Sequence, residues 1–451
     1  MKINISIALL ILLMSRLFAN ESYYNLQKED KRTISLSEAI EKALQNNPDL
    51  KAKKSDIVVQ TQKLKIAQSA NLPSLNLEGS LDHFSQDQRL VAATYNSEIG
   101  EFGDNFFKTN LKFTLPLYMG GKIVANIKAK EYLVLAQNHL LVNSQNQLIF
   151  NVKSIFWYIY AQEKAIDSFG FAIKTMQKHK QEVHLQYELK KVARVELLKT
   201  DVRIAELNQK KEDEENKLTS LYSLLYATLG IENSFSKDFL RVDVQGLKMN
   251  LEYTFAQPKE LYTIALENRG DYLSMKDKLN SLNQEVIVAK SANKPTLKFY
   301  GNLGYRNIID TSDEDNIKSS VGMAFNIPLY TGGANEAKVV SSYASLESYR
   351  QRLHSLQLSI QSDINNAVAD FVSSKKRAKL SKDSITLALE NLRIEELKYQ
   401  LGKGSQIDLF EAQSLVLNAQ TNYIKMQSLA HIAYAKISYL IGSKHLKTTE
   451  I

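Results

Sequence analysis

The side chains able to do chemistry are few, and their spacing argues against catalysis. The chain has no cysteine and seven histidines. Without cysteine there is no disulfide, no thiolate metal site and no attachment point for a lipid. His83, His139, His179, His184, His354, His431 and His445 show no metal-ligand spacing. His179 and His184 lie five apart, which misses a shared helix face, and all seven read as surface histidines. No glycine-rich phosphate cradle and no catalytic constellation is present, so no enzyme activity, cofactor or metal is expected. The constellation of most interest is acidic: Asp408 and Glu411, three apart, share one face of the helix that begins there. Carboxylates in a first turn favour the helix dipole whatever else they do.

What positions these residues is a tandem duplication. Pro116-Leu-Tyr-Met-Gly120-Gly121 returns as Pro328-Leu-Tyr-Thr-Gly332-Gly333, 212 positions later. The same offset pairs Tyr187 with Tyr399 and Leu229-Gly230 with Ile441-Gly442. Upstream, Ala67-Gln-Ser-Ala-Asn-Leu-Pro73 matches Ala289-Lys-Ser-Ala-Asn-Lys-Pro295 at an offset of 222. So long a period is no solenoid; each half supplies the same part of a larger wall. The first repeat spans 20–230 and the second 257–442. Between them runs a linker, 231–256, a candidate equatorial segment, and 443–451 forms a tail.

Proline maps the elements. All six lie at 48, 73, 116, 258, 295 and 328. The proline-free stretches are rich in Leu, Gln, Lys, Glu and Ala and read as long helices. One helix is expected over 35–70, capped by Ser35 or Ser37 with Glu38 completing a capping box. A second runs from Gly121 to about 187, some 100 Å at ~1.5 Å per residue. It carries a heptad stripe, Val152, Ile159, Ile166 and Ile173, repeated as Ile364, Phe371, Ala378 and Ile385. Helices over 194–228 and 406–440 keep the period, which means coiled-coil packing. Short turns at 189–193 and 401–405 join them. Gly402 and Gly404 supply the second turn; Lys190 and Val192 stand in their places in the first.

Four segments have period two: about 73–85, 106–118, 295–306 and 317–330. Leu75, Leu77, Leu81, Phe107, Phe113, Phe299 and Phe325 alternate with polar residues that include Asn76, Lys112, Lys298 and Ser320. Each segment has roughly the ten residues that cross a bilayer as a tilted strand. The alternative is a pair of half-buried hairpins in a soluble domain. Pro116 with Gly120-Gly121, and Pro328 with Gly332-Gly333, mark strand-to-helix junctions. The loop tips are acidic (Glu98, Glu101, Asp104; Asp310, Asp313, Glu314, Asp315) and read as solvated rather than as calcium loops.

Residues 1–19 read as a signal peptide, with Lys2, an apolar run over Ile5–Leu13 and Leu17-Phe18-Ala19 before the cut. No later run is long and apolar enough for a transmembrane helix. The net charge of +8 is spread along helices with Glu and Asp, which speaks against nucleic-acid binding. Four membrane strands cannot close a barrel, and lipid forbids an open edge. The missing strands must come from other copies: a dimer reaches eight, a trimer twelve, and geometry alone does not choose.

The chain resembles the TolC family of outer-membrane efflux proteins over essentially all of its mature length. The motifs are Leu36-Ser-Glu-Ala-Ile40 with Ala43-Leu44-x-x-Asn47-Pro48, Pro-x-Leu after Ala-Asn in both repeats, the doubled Pro-Leu-Tyr-x-Gly-Gly, and Tyr399-x-x-Gly402-x-Gly404-Ser405-x-x-Asp408-Leu409. The resemblance implies a mainly α fold with a transmembrane β-barrel. It implies a homotrimer with a twelve-stranded barrel in outer-membrane lipid, continuing into a helical periplasmic tunnel. It further implies a periplasmic adaptor and an inner-membrane pump of RND, ABC or MFS type as partners. By resemblance Asp408, Glu411, Glu196 and Tyr399 become candidates for the periplasmic entrance and its gate, and Gly402, Gly404, Ser405 and Lys190 for the adaptor-facing turns. Asn76, Lys112, Lys298 and Ser320 would line the barrel lumen. Lys190 departs from the glycine of the pattern. The competing class is a periplasmic structural coiled coil or adhesin, which explains the heptads but not four symmetric strands.

Overall fold

The structure, a computed structural model, describes residues 32–90, 102–232, 240–243, 257–309 and 317–442. The expected signal peptide, the tail, most of the linker and the acidic residues Glu98, Glu101, Asp310, Asp313, Glu314 and Asp315 lie outside the described residues. In chain order the elements are β1 (Arg32–Ile34), α1 (Leu36–Asn46), α2 (Pro48–Ser69), β2 (Ser74–Arg89), β3 (Phe102–Tyr118), α3 (Lys122–Glu188) and α4 (Arg194–Leu229). Then come β4 (Leu240–Val242), α5 (Pro258–Asn268), α6 (Gly270–Lys290), β5 (Thr296–Ile308), β6 (Ile317–Asn326), α7 (Ala334–Gln400) and α8 (Gln406–Leu440). They form two compact units: one from Lys53–Val142 and Gly270–Leu358, the other from the described parts of Met1–Ala52, Asn143–Arg269 and Ser359–Ile451.

The first unit holds one antiparallel sheet in the order β2-β3-β5-β6. Its register carries the duplication. Ser74 faces Thr114 and Leu75 faces Phe113 in the first hairpin. Thr296 faces Asn326 and Leu297 faces Phe325 in the second. The two sequence offsets convert one set of pairs into the other. A bulge between Pro116 and Tyr118 interrupts β3 against β5, where proline has no N–H to give the ladder. The fourth strand was expected over 317–330 but ends at Asn326. Tyr118 stays in strand because it pairs with Leu297 of β5, whereas among the described residues no strand pairs with residues 327–330.

In the second unit the heptad stripe packs as expected. Val152, Ile159, Ile173, Ile364, Phe371 and Ala378 are buried, and so are Leu409, Val416, Ala430 and Ile437 on α8. Each of the valine, leucine, isoleucine and phenylalanine side chains contributes about 1.5–3 kcal/mol when fully buried. The other two members of the stripe, Ile166 and Ile385, are half-buried. Two histidines expected at the surface, His179 and His431, are buried instead; they sit against aromatic rings, where heptad counting gives no warning.

The helix expected over 35–70 is two. Pro48 lacks an N–H and excludes helical geometry from the residue before it, and Asn47 leaves the helix at φ −55°, ψ 124°. Its amide nitrogen donates to the Thr228 carbonyl at 2.9 Å, and its oxygen accepts from the Leu50 N–H at 3.1 Å. Ser35 caps α1 by accepting from the Glu38 N–H at 3.3 Å. The Glu38 carboxylate reaches Lys42 at 3.2 Å rather than completing a capping box. After α4, Gly230 lies so close to Asn46 that a Cβ would come within 2.6 Å of its carbonyl oxygen, and Gly442 meets Asn268 at 2.7 Å in the second repeat. Inside the expected linker, β4 pairs in parallel with β1. No pattern in three residues could announce that pairing.

Candidate functional site

Both helix turns close in the same way. Lys190 donates to the Tyr187 carbonyl and Lys191 to that of Gln186, at 2.9 and 2.8 Å; Gly402 and Lys403 repeat this to Tyr399 and Lys398, at 3.0 and 2.9 Å. Such an ending needs a left-handed residue, which glycine adopts freely. Gly402 takes it at φ 69°, and Lys190, the residue in its place, takes it at φ 59°. Gly404 is required for a different reason. A Cβ there would lie 2.9 Å from the Lys398 Cβ and 3.2 Å from the Tyr399 nitrogen.

The acidic positions of the two turns have different partners. Ser405 accepts from the Asp408 N–H at 3.2 Å, while the Asp408 carboxylate accepts from the Ser405 N–H at 3.3 Å and its hydroxyl at 2.8 Å. That is a complete capping box. Ala193 occupies the Ser405 position in the first repeat and cannot cap. Glu196, equivalent to Asp408, accepts instead from Lys199 at 3.0 Å. Glu411 is exposed.

Beneath the turns lies a buried polar cluster that the sequence did not reveal. His179, Thr200 and Gln406 are all buried. The Gln406 amide nitrogen donates to Thr200 Oγ1 at 2.5 Å and lies 3.3 Å from His179 Nε2. The His179 ring meets Tyr399 edge-on at 5.2 Å and Phe410 at 5.9 Å. Burial lowers the His179 pKa, with the Glu182 carboxylate opposing. Burial raises the Tyr399 pKa, and the charges of Glu196 and Glu182 push it the same way. Of the four gate candidates, Tyr399 and Glu196 are thus within each other's field, while Asp408 and Glu411 stand on the exposed side of α8. A lone buried His or Gln in a heptad pattern carries no signal that would have found the cluster.

On the sheet, Asn76, Lys112, Asn302 and Ser320 form one cross-strand row. Asn302 donates to Ser320 across it at 3.3 Å. Lys298, opposite Ala324, is on the same face. The opposite face carries Leu75, Leu77, Leu81, Phe107, Leu303, Val321, Met323 and Phe325, all exposed in the single chain. At one end of the polar face, Phe106, Leu90 and Ile308 form a buried apolar cluster with Phe84. Arg306 lies 4.4 Å over the Phe106 ring, and Lys108 pairs with Asp82. At the strand-to-helix junctions Gly120 and Gly121 adopt φ 62° and 85°, Gly332 and Gly333 61° and 81°.

An exposed face that is apolar and uncharged, backed by a polar face and open at both edges, is a wall segment of a membrane barrel. A family model for outer membrane efflux proteins matches residues 39–230 and 261–443, one match per repeat, and the chain belongs to that family. It is similar to the outer membrane efflux protein BepC of Brucella suis biovar 1, at 23% identity, with 87% of this chain and 80% of that protein covered. Among solved structures, the Campylobacter jejuni CmeC outer membrane channel superposes with a TM-score of 0.78 at 17% identity, covering 90% of this chain and 85% of that one. The Vibrio cholerae outer membrane protein VceC gives 0.76 at 17% identity, covering 90% and 96%. The protein is an outer-membrane efflux channel; the structural coiled coil or adhesin is not favoured.

Proposed function

We propose that three copies of this chain close a twelve-stranded barrel in the outer membrane and form the passive exit duct of a tripartite pump. A periplasmic adaptor would join it to an inner-membrane RND, ABC or MFS-type transporter that supplies the energy. The observation that carries this reading is the four-stranded sheet. Its outer strands β2 and β6 each pair on one side only among the described residues, and unpaired strand edges are not tolerated in hydrocarbon. In this reading Asn76, Lys112, Lys298 and Ser320 face the water-filled lumen, and the turns at Lys190 and Gly402–Ser405 meet the adaptor. Asp408, Glu411, Glu196 and Tyr399 surround the periplasmic entrance, with Tyr399 packed on His179 as the part that would hold it shut.

Native mass spectrometry of protein extracted in a mild detergent tests the assembly. A homotrimer is expected, and a stable monomer would remove the basis of the reading. Co-purification with a periplasmic adaptor protein co-expressed with the chain tests the partners; substitutions in the two turns should weaken it, and an unchanged yield would clear the turns of that role.

A further inference from the structure

We propose that the polar face of the sheet carries an anion subsite, built by Arg306, Lys318 and Lys108, that takes an organic oxyanion such as a polycarboxylate. It sits at the end of the sheet remote from the strand-to-helix junctions. Its place in a lumen rests on the barrel proposed above, but one chain supplies all its residues. The two sequence offsets make Phe84 the counterpart of Arg306 and Phe106 the counterpart of Lys318. The first hairpin thus supplies rings where the second supplies cations. A bulge between His83 and Gln88 releases Phe84 from the ladder, and Phe84 packs edge-on upon Phe106 at 5.6 Å. Phe106 is fully buried and forms a floor. The Arg306 guanidinium rests on it 4.4 Å from the ring centroid, and Lys108 Nζ lies 5.4 Å from the centroid of Phe84.

The cations crowd one another. Lys108 faces Arg306 directly across β3 and β5, and like charges so placed repel. Lys318 faces Gly304, two residues before Arg306, which puts it on the diagonal at roughly 7–8 Å. Asp82 answers this group, and it is already engaged by Lys108 and Ser80. Asp104 lies by Asn105 and His83, and Glu78 stands at the far side of the row, beyond Asn110 and Gly304. Three cations against one carboxylate leave an excess of positive charge. Arg306 shows the deficit, because its Nε is buried with no hydrogen-bond partner among the described residues. The chemistry selects an oxyanion over a halide. A guanidinium seated on a ring presents its two Nη groups as a planar fork that matches a carboxylate, sulfonate or phosphate. Lys318 adds a point charge beside it, and Gly304 raises no side chain into the space between them. A Cβ at Gly304 would make only ordinary contacts, the nearest at 3.6 Å to Asn110 Oδ1 and the Thr109 carbonyl oxygen. Packing therefore does not demand glycine there.

Citrate is the probe, titrated calorimetrically into the full chain in a non-ionic detergent at low ionic strength. One citrate per chain is expected. Arg306→Gln should weaken binding by about tenfold or more. Arg306→Lys, which keeps the charge without the fork, should weaken it several-fold. Gly304→Leu, which fills the space and leaves every charge in place, should abolish it. Lys298→Gln, the same loss of charge at the other end of the polar face, should change it by less than about twofold. Equal weakening by Arg306→Gln and Lys298→Gln would mean that citrate senses only a diffuse positive field, and would overturn the subsite. Binding that survives Gly304→Leu would overturn it too. So would no binding at all, the result expected if Asp310 or its acidic neighbours in sequence take the anion's place. Native mass spectrometry keeps this proposal apart from the barrel. A trimer that binds no citrate removes the subsite and leaves the barrel, whereas a monomer that binds citrate leaves the subsite and removes the barrel.

Discussion

His431 shows what one buried side chain contributes. Its ring stacks on Trp157 at 3.9 Å, nearly parallel, and burial pulls its pKa from 6.5 down to about 4. The unfolded chain therefore takes up the proton first. Stability is whole above pH 6.5 and falls as the pH drops towards 4, by about 3 kcal/mol in total. His179, also lowered by burial, acts in the same direction. Denaturant titrations between pH 7.5 and 4.5 should show this loss, and His431→Phe, which keeps the stack without a proton site, should flatten it. An unchanged slope in the variant would place the acid sensitivity elsewhere. At the turn, Asp408 and Glu411 separate by their contacts. Asp408→Ala removes a cap and should loosen that turn by about 0.5–2 kcal/mol, read as faster hydrogen exchange at residues 405–409. Glu411→Gln should leave exchange alone and shift ion selectivity further towards anions in planar bilayers. If Asp408→Ala moved selectivity and left exchange unchanged, its capping contacts would not be its main role.

The elements were the most legible level. Proline spacing and heptads marked the long helices to within a residue or two, because a run without helix breakers and with one apolar stripe has few other ways to fold. Period-two alternation gave the strand faces, and the ladder pairs them row by row across all four strands. Three kinds of feature escaped. Asn47 breaks a helix because proline restricts the residue before it, although Pro48 alone would also suit a kink. The pair β1·β4 is too short to have a period. The cluster of His179, Thr200 and Gln406 needs three helices to bring it together. The strand faces make a direct prediction. A charge at Leu77, Phe113, Phe299 or Phe325 should cost roughly 2–4 kcal/mol near the midplane and impair insertion. The same change at Asn76, Lys112, Lys298 or Ser320 should be tolerated and alter only conductance. Equal insertion defects in the two sets would mean the faces are assigned wrongly.

Across the whole molecule the charges of the sheet are one-sided. In the regularly paired region the polar face carries Lys108, Lys112, Lys298, Arg306 and Lys318 against Glu78 and Asp82, and the apolar face carries no charged residue. Asp82 is engaged by Lys108; Asp104, just past that region, lies by Asn105 and His83. With every copy adding the same excess, the lumen should hold a positive potential and favour anions at low ionic strength. Replacing Lys112, Lys298 and Lys318 by Gln should move the reversal potential in a KCl gradient towards cations, and more at 0.05 M than at 1 M salt. No shift at low salt would mean that these side chains do not line the conducting path.

The sheet order also sets a timetable. Each hairpin joins neighbours in sequence, but β3 must find β5, and Phe106 meets Ile308 roughly two hundred residues away. Local pairings form early and distant ones late. During synthesis and export β3 therefore waits without β5, its edge open whenever the first hairpin forms, and the second hairpin follows only after α3 and α4 have been made. Such an edge invites pairing with the wrong chain. A cell making this protein has to keep each emerging chain apart from its siblings until the second repeat arrives, and only then bring copies together. The duplication that simplifies the finished wall makes its assembly depend on escort.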